Sequence, residues 1–186
     1  MWREISDWLH QISNTWMTLA GVAIFLLFSA LVLPGQSARA ETYAGSVGSP
    51  DMSLLYFPDD LYDTADAYGD EGRTAYVRSR FTFDLIWPLV YTLFLSTAIS
   101  WIYVRAFALR SRWQLANLAP LFGALWDYLE NVSTSIVMLR YPNQTPVMDV
   151  LAPIFTLVKW IFVSGSFVLL LVGVVVGIWR WIRKRS

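Results

Sequence analysis

The sequence contains no cysteine and a single histidine, His10. Without thiols there is no disulfide framework, no thiolate metal site and no cysteine nucleophile. One histidine, placed ahead of every apolar run, cannot build a histidine-based metal centre inside a membrane span of one chain. Charge is also scarce, at 15% of 186 residues. No phosphate-binding loop, dinucleotide-type glycine pattern, HExxH sequence or serine–histidine pair is present, so no metal and no cofactor is expected.

What the chain has in excess is apolar and aromatic side chain, 56% and 16% respectively. That is more than one small soluble core can hide, and lipid is the natural place for the surplus. Four apolar blocks carry it, at about 16–33, 83–104, 115–139 and 151–181. Each is long enough to cross a hydrocarbon core of about 30 Å. Pro34-Gly35 is expected to end the first. Asp127, Glu130 and Asn131 interrupt the third, and the fourth ends in an almost pure Val/Leu/Gly run from Phe167 to Ile178. The expected fold is all-α, a polytopic four-transmembrane-helix bundle forming one domain over 1–186. A short helical outward-facing segment, 34–82, joins its first two spans.

The formal net charge is zero, but the signs are segregated. Acids gather between Glu41 and Glu71, while Arg105, Arg110 and Arg112 follow the second block and Arg180, Arg183, Lys184 and Arg185 follow the fourth. This asymmetry reads as topology rather than nucleic-acid binding. It predicts an inner (plasma) membrane protein with both termini cytoplasmic. Trp16, Trp101, Trp113, Trp179 and Trp181 fall near span ends, where indoles meet headgroups. Ser37-Ala38-Arg39-Ala40 also matches a signal-peptidase site, whose use would leave three spans. The long apolar region and the acids Glu4 and Asp7 beside Arg3 favour retention of the first helix.

Within the outward segment, Gly35 to Pro50 is rich in Gly, Ser and Ala and is expected to be flexible. Pro58-Asp59-Asp60 reads as a helix start, Gly69 as a stop and Asp70-Glu71 as a second start. The resulting helix–turn–helix is either an amphipathic entry to the second span, with arginines snorkelling to phosphates, or a lid over a cavity in the bundle.

Ionisable groups inside spans cost about 2.5–3.5 kcal/mol each to insert, so they face protein or water and often mark function. Asp127, Glu130 and Asn131 lie three and four residues apart on one face of the third span. At about 1.5 Å per residue, Lys159 of the fourth span reaches the same depth, which predicts an ion pair between the two helices. Asp84, Pro88 and Tyr91 share a face of the second span. Asp84 has an alternative as an exposed partner of Arg80 one turn earlier. These polar residues either hold helices together through bonds worth about 1 kcal/mol apiece or form a proton or ligand site. Two carboxylates against one lysine is more charge than packing needs.

Asn131-Val132-Ser133 matches a glycosylation sequon but lies within a span. Gly173-x-x-x-Gly177 offers small-residue spacing for internal packing or for a homo-oligomer. Gly69-Asp70-Glu71-Gly72-Arg73 with Tyr76, then Asp84, Pro88 and Tyr91, then Asp127-Tyr128-Leu129-Glu130-Asn131 and Tyr141-Pro142 resembles a family of small bacterial membrane proteins. The resemblance covers most of the chain after Tyr56 and implies a four-span protein without supplying a mechanism. Intramembrane carboxylates in a small bundle are also similar to the sterol-isomerase-like EXPERA proteins, with no motif matched residue by residue.

These readings converge on a polar, outward-opening cavity enclosed by spans two, three and four, with the bilayer as partner and a lipid or small amphiphile as ligand. Asp84, Tyr91, Asn131 and Lys159 are the expected ligand-binding residues, and Glu130 and Asp127 the candidates for catalysis. The alternatives are an enzyme using Glu130 or Asp127 for acid/base chemistry on a lipid-soluble substrate, a proton-coupled transporter subunit, and a structural subunit of a membrane complex.

Overall fold

The first apolar block forms a helix, and Pro34 does not end it. Asn14 accepts a hydrogen bond from the Met17 amide at 2.9 Å and starts a helix over Thr15–Leu31. After Val32 the chain continues helically over Leu33–Ala44. The stretch expected to be flexible from Gly35 is therefore helical as far as Ala44. Pro34 sits in the first turn of the second piece, where its missing N–H has no intrahelical acceptor to lose. The computed structural model describes residues 1–45 and 47–184; Ser46, Arg185 and Ser186 lie outside the described residues.

In chain order the α-helices are α1 (Trp2–Ile12), α2 (Thr15–Leu31), α3 (Leu33–Ala44), α4 (Pro58–Arg80), α5 (Phe83–Ala106), α6 (Ala119–Arg140) and α7 (Met148–Arg183). The described residues contain no strand. Short 3-10 turns occupy Pro50–Met52 and Arg112–Leu118. Three helical stretches are long and apolar enough to cross a membrane: Thr15–Ala44, Pro58–Ala106 and Met148–Arg183. The third apolar block is α6, of sufficient length at 22 residues but lowered in hydropathy by Asp127, Glu130 and Asn131. Leucines 19, 26, 27 and 31 of α2 and Val168, Leu171, Val175 and Ile178 of α7 are exposed. In water such surfaces would be an aggregation liability; facing lipid they need no cover.

The expected break at Gly69 is present. Its φ of +61° is open to glycine and strained for other residues, and it divides α4 into two pieces. Arg73, in the second piece, donates to the Ala65 carbonyl at 2.7 Å and ion-pairs with Asp70, so it covers a carbonyl at the end of the first piece. The Gly-Asp-Glu-Gly-Arg motif is thus a built helix corner. α4 packs across the far ends of α6 and α7 through tyrosines: Tyr62 donates to Asp149 at 2.9 Å, and Tyr141 donates to Asp66 at 2.6 Å.

At the opposite end lies α1, an amphipathic helix absent from the sequence reading. Ser6 donates to Asn117 Oδ1 at 2.9 Å, and Asn117 in turn donates to the Ser6 carbonyl and to Ser100 Oγ. His10 meets the Gln114 carbonyl at 3.2 Å. Two apolar cores result. One joins Leu61, Ala65, Tyr68 and Tyr76 of α4 to Val137, Met138 and Ala152. The other joins Tyr91, Leu95, Ile99 and Tyr103 of α5 to Ala124, with Phe25, Val163 and Leu169 packed against it.

Candidate functional site

Three chain segments pass from one core to the other, and each places charge at the crossing. Between Tyr76 and Tyr91 stand Arg80 and Asp84; between Val137 and Ala124 stand Glu130 and Asp127; between Ala152 and Val163 stands Lys159. The result is a charged layer held between two apolar ones, with all five groups buried. Buried ions persist only where partners offset their lost hydration.

The partners are there. Lys159 makes a direct ion pair with Glu130, and its Nζ lies 3.9 Å from Asp127 Oδ1. The other oxygen of Asp127 accepts from Tyr91 Oη at 3.0 Å. The expected ion pair between the third and fourth apolar blocks is therefore present, with a tyrosine of the second attached to it. Arg80 Nη1 pairs with Asp84 Oδ2 at 2.9 Å, Nη2 reaches Ser49 Oγ at 3.1 Å, and the guanidinium lies 4.4 Å from the centre of the Tyr76 ring. The Arg80–Asp84 pair is buried, which corrects the reading of an exposed pair. The chain from Ser49 and the ring of Tyr76 close over it.

Beside this layer is a cavity of about 430 Å3. Its wall changes character along the bundle. At the end nearest α4 it carries its polar groups, Gln36, Ser37 and Glu41 of α3, Ser49, and Arg80, set among Leu33, Ala40, Ala44 and Met52. At mid-height come Asp84, Tyr91, Asp127 and Lys159. Towards the end that carries α1 it is apolar, with Phe25 of α2 and Val163 and Phe167 of α7. The rings of Phe25 and Phe167 are 6.3 Å apart between centroids. No lining residue comes from α1 or the Arg112–Leu118 turn.

Of the six residues singled out from sequence, Asp84, Tyr91, Asp127 and Lys159 line this cavity. Glu130 and Asn131 do not. Glu130 stands behind Lys159, and the Asn131 amide is buried with no hydrogen-bond partner among the described residues. No protein-family model, curated protein or solved structure matches the chain.

Two groups of lining residues were not foreseen. Gln36, Ala40 and Ala44, with Ser37 and Glu41, repeat at helical spacing, a signal masked by reading Pro34 as a helix end rather than a first-turn proline. Phe25 and Phe167 were read only as parts of apolar spans. Among the described residues no group of three or more His, Asp or Glu is placed to hold a metal ion. What the cavity offers is a carboxylate acceptor at Asp127, the buried Arg80–Asp84 pair, the Lys159 ammonium and an apolar, partly aromatic wall.

Proposed function

We propose that the protein is a four-span membrane protein that binds a lipid or small amphiphile in this cavity. The observation that carries the reading is the gradient of the wall, from Arg80, Ser49 and Glu41 at one end to Phe25 and Phe167 at the other. A cavity of this volume falls within the usual range for small-molecule sites, about 300–1,000 Å3.

The length of α7 supports the depth this requires. Its 36 residues extend roughly 54 Å at about 1.5 Å per residue, against a hydrocarbon core of about 30 Å. Since Phe167–Ile178 is the most apolar part, much of the excess lies at the Met148 end. This lifts Lys159 and the charged layer towards headgroup level and leaves Phe25, Val163 and Phe167 among acyl chains. The basic residues Arg105, Arg110, Arg112, Arg180, Arg183 and Lys184 all follow the α1 end, so that end faces the cytoplasm of an inner membrane. α6 is then the fourth span, with Leu121, Leu125 and Val132 exposed on one face and its carboxylates buried on the other, shielded from lipid.

Native mass spectrometry of the protein released from mild detergent tests the reading. The wild type should carry a lipid-sized adduct. Ala40→Trp, which fills the cavity from α3, should lose it while keeping the helical circular-dichroism spectrum. A wild-type protein with no adduct, or an adduct indifferent to the tryptophan, would count against the proposal.

A further inference from the structure

The charged layer has a stoichiometry that bears on the ligand. On α6 and α7, two carboxylates, Asp127 and Glu130, meet one ammonium, Lys159. The two carboxylates are not equivalent. Glu130 is in direct contact with Lys159 and is withdrawn from the cavity, whereas Asp127 stands 3.9 Å from the ammonium and lines the cavity wall. A hydrogen bond from Tyr91 orients Asp127 but brings no positive charge. The neighbouring cation, Arg80, is paired with Asp84. Glu41, at the polar end of the cavity, adds a further carboxylate. Among the described residues, the buried layer in ionised form thus holds three acids, Asp84, Asp127 and Glu130, against two bases, Arg80 and Lys159, where water screening is weak.

We propose that the cavity selects an amphiphile with an alkylammonium head, seated against Asp127, with its tail along the apolar wall formed by Phe25, Val163 and Phe167. This rests on the cavity being a ligand site. An anionic head would add to the existing excess of like charge, and a neutral head would leave it uncompensated. A cation at Asp127 also sits beside the rings of Tyr91 and Trp87, which pack edge to face at 5.9 Å. Aromatic faces favour ammonium groups. Two sources supply this chemistry: the aminoethyl head of a bilayer phospholipid and a free long-chain amine.

The test uses the full-length protein in neutral detergent and three probes with the same chain: dodecylamine, 1-dodecanol and lauric acid. Each is titrated while intrinsic tryptophan fluorescence is read. Dodecylamine should bind at least tenfold tighter than either of the others. Asp127→Asn should abolish that preference while retaining binding of 1-dodecanol. Gly177→Ala, outside the cavity lining, should retain the preference. Displacement of bound dodecylamine by phosphatidylethanolamine but not phosphatidylglycerol would point to the phospholipid source, and displacement by neither to a free amine. Equal or tighter binding of lauric acid to the wild type would overturn the inference and leave the cavity reading intact. Failure of all three probes to bind would remove the cavity reading itself.

Discussion

Lys159 of α7 closes directly on Glu130 of α6, and this contact separates a structural carboxylate from a cavity-facing one. Glu130 is 1% exposed and Asp127 7%, a small difference that matters because only the second opens onto the cavity. The two acids, three residues apart on one helix, are thereby assigned different work. Lys159 ties α6 to α7 through Glu130, and Asp127 presents its charge to the cavity.

Removing the shared cation should be the most damaging single change in the layer. Lys159→Met leaves two buried carboxylates without a counter-charge, and breaking such pairs costs about 3–5 kcal/mol. The triple change Lys159→Met, Glu130→Gln and Asp127→Asn removes all three charges and should recover most of the loss. Thermal unfolding in detergent distinguishes the two. Glu130→Gln alone should leave the bundle folded and alter ligand retention indirectly, by freeing Lys159 to move onto Asp127. Wild-type retention in both Glu130→Gln and Asp127→Asn would exclude a ligand site in this layer.

Asn131 separates the two roles suggested for it. Its amide is buried and makes no hydrogen bond to described residues. A buried polar group left unsatisfied costs about 1–3 kcal/mol, and an apolar replacement of similar shape removes that cost. Asn131→Leu should therefore raise the midpoint of thermal unfolding without changing ligand retention. A loss of ligand would instead return Asn131 to the list of binding residues.

The sequence revealed most where charge interrupts an apolar run. The contact of Lys159 with Glu130 and Asp127 follows from helical spacing and rise, because a buried lysine must find a carboxylate at its own depth. Gly69 was equally legible, since a glycine followed by two acids both stops and restarts a helix. Pro34 misled, because a proline that ends one helix and a proline in the first turn of the next look alike without knowledge of the preceding backbone. The cavity was legible only in part. Its charged residues announce themselves by their cost in lipid, but Phe25 and Phe167 are ordinary span residues until the packing of α2 against α5 brings them together. The α1 helix was legible in the helical spacing of Trp2, Ile5, Leu9 and Ile12, while its seat was not, because Ser6 and Asn117 are far apart in the chain.

Outside the apolar layer, Tyr141 provides a pH-dependent contact. Its hydroxyl donates to Asp66, which raises the phenol above its ordinary value of about 10. Partial burial adds to the effect, and Asp63 acts in the same direction. Arg73, 4.7 Å from the ring centre, opposes it. The folded protein thus holds this proton at a higher pH than the unfolded chain does. The contribution to stability is complete below about pH 10 and is lost as pH rises through the raised value. Neutral and acid pH leave this phenol protonated. Phenolate absorbance of wild type minus Tyr141→Phe should give a titration midpoint above the ordinary tyrosine value, and a midpoint at or below it would contradict the hydrogen bond.

Gly173 and Gly177 share the small-residue spacing noted in the sequence but have different surroundings. A Cβ on Gly173 would come within 2.6 Å of the Tyr103 ring and 2.8 Å of Ile102, whereas one on Gly177 meets nothing within 4 Å. Gly173 therefore serves contact between α7 and α5, where Tyr103 also donates to the Leu169 carbonyl at 2.8 Å. Gly173→Val should cost about 1–3 kcal/mol through overpacking, with Gly177→Ala close to neutral. Detergent unfolding of both checks this. An unaffected Gly173→Val would mean that α7 does not lie against α5.

The absence of cysteine makes the topology directly measurable, because any introduced thiol is the only one in the chain. Under the proposed orientation Asp63, exposed on α4, lies outside, and Ser111, in the connection between α5 and α6, lies inside. A membrane-impermeant maleimide applied to intact cells should label Asp63→Cys readily and Ser111→Cys only after the membrane is opened. The pair is informative because α6 falls between the two kinds of surface. If α6 crosses, a third variant, Asn143→Cys in the turn before α7, labels like Asp63→Cys; if α6 returns without crossing, it labels like Ser111→Cys. Labelling of the second kind would remove the fourth span. It would also place the connection between α6 and α7 on the cytoplasmic side, which its contacts with α4 through Tyr141 and Asp66 make incompatible with an external Asp63.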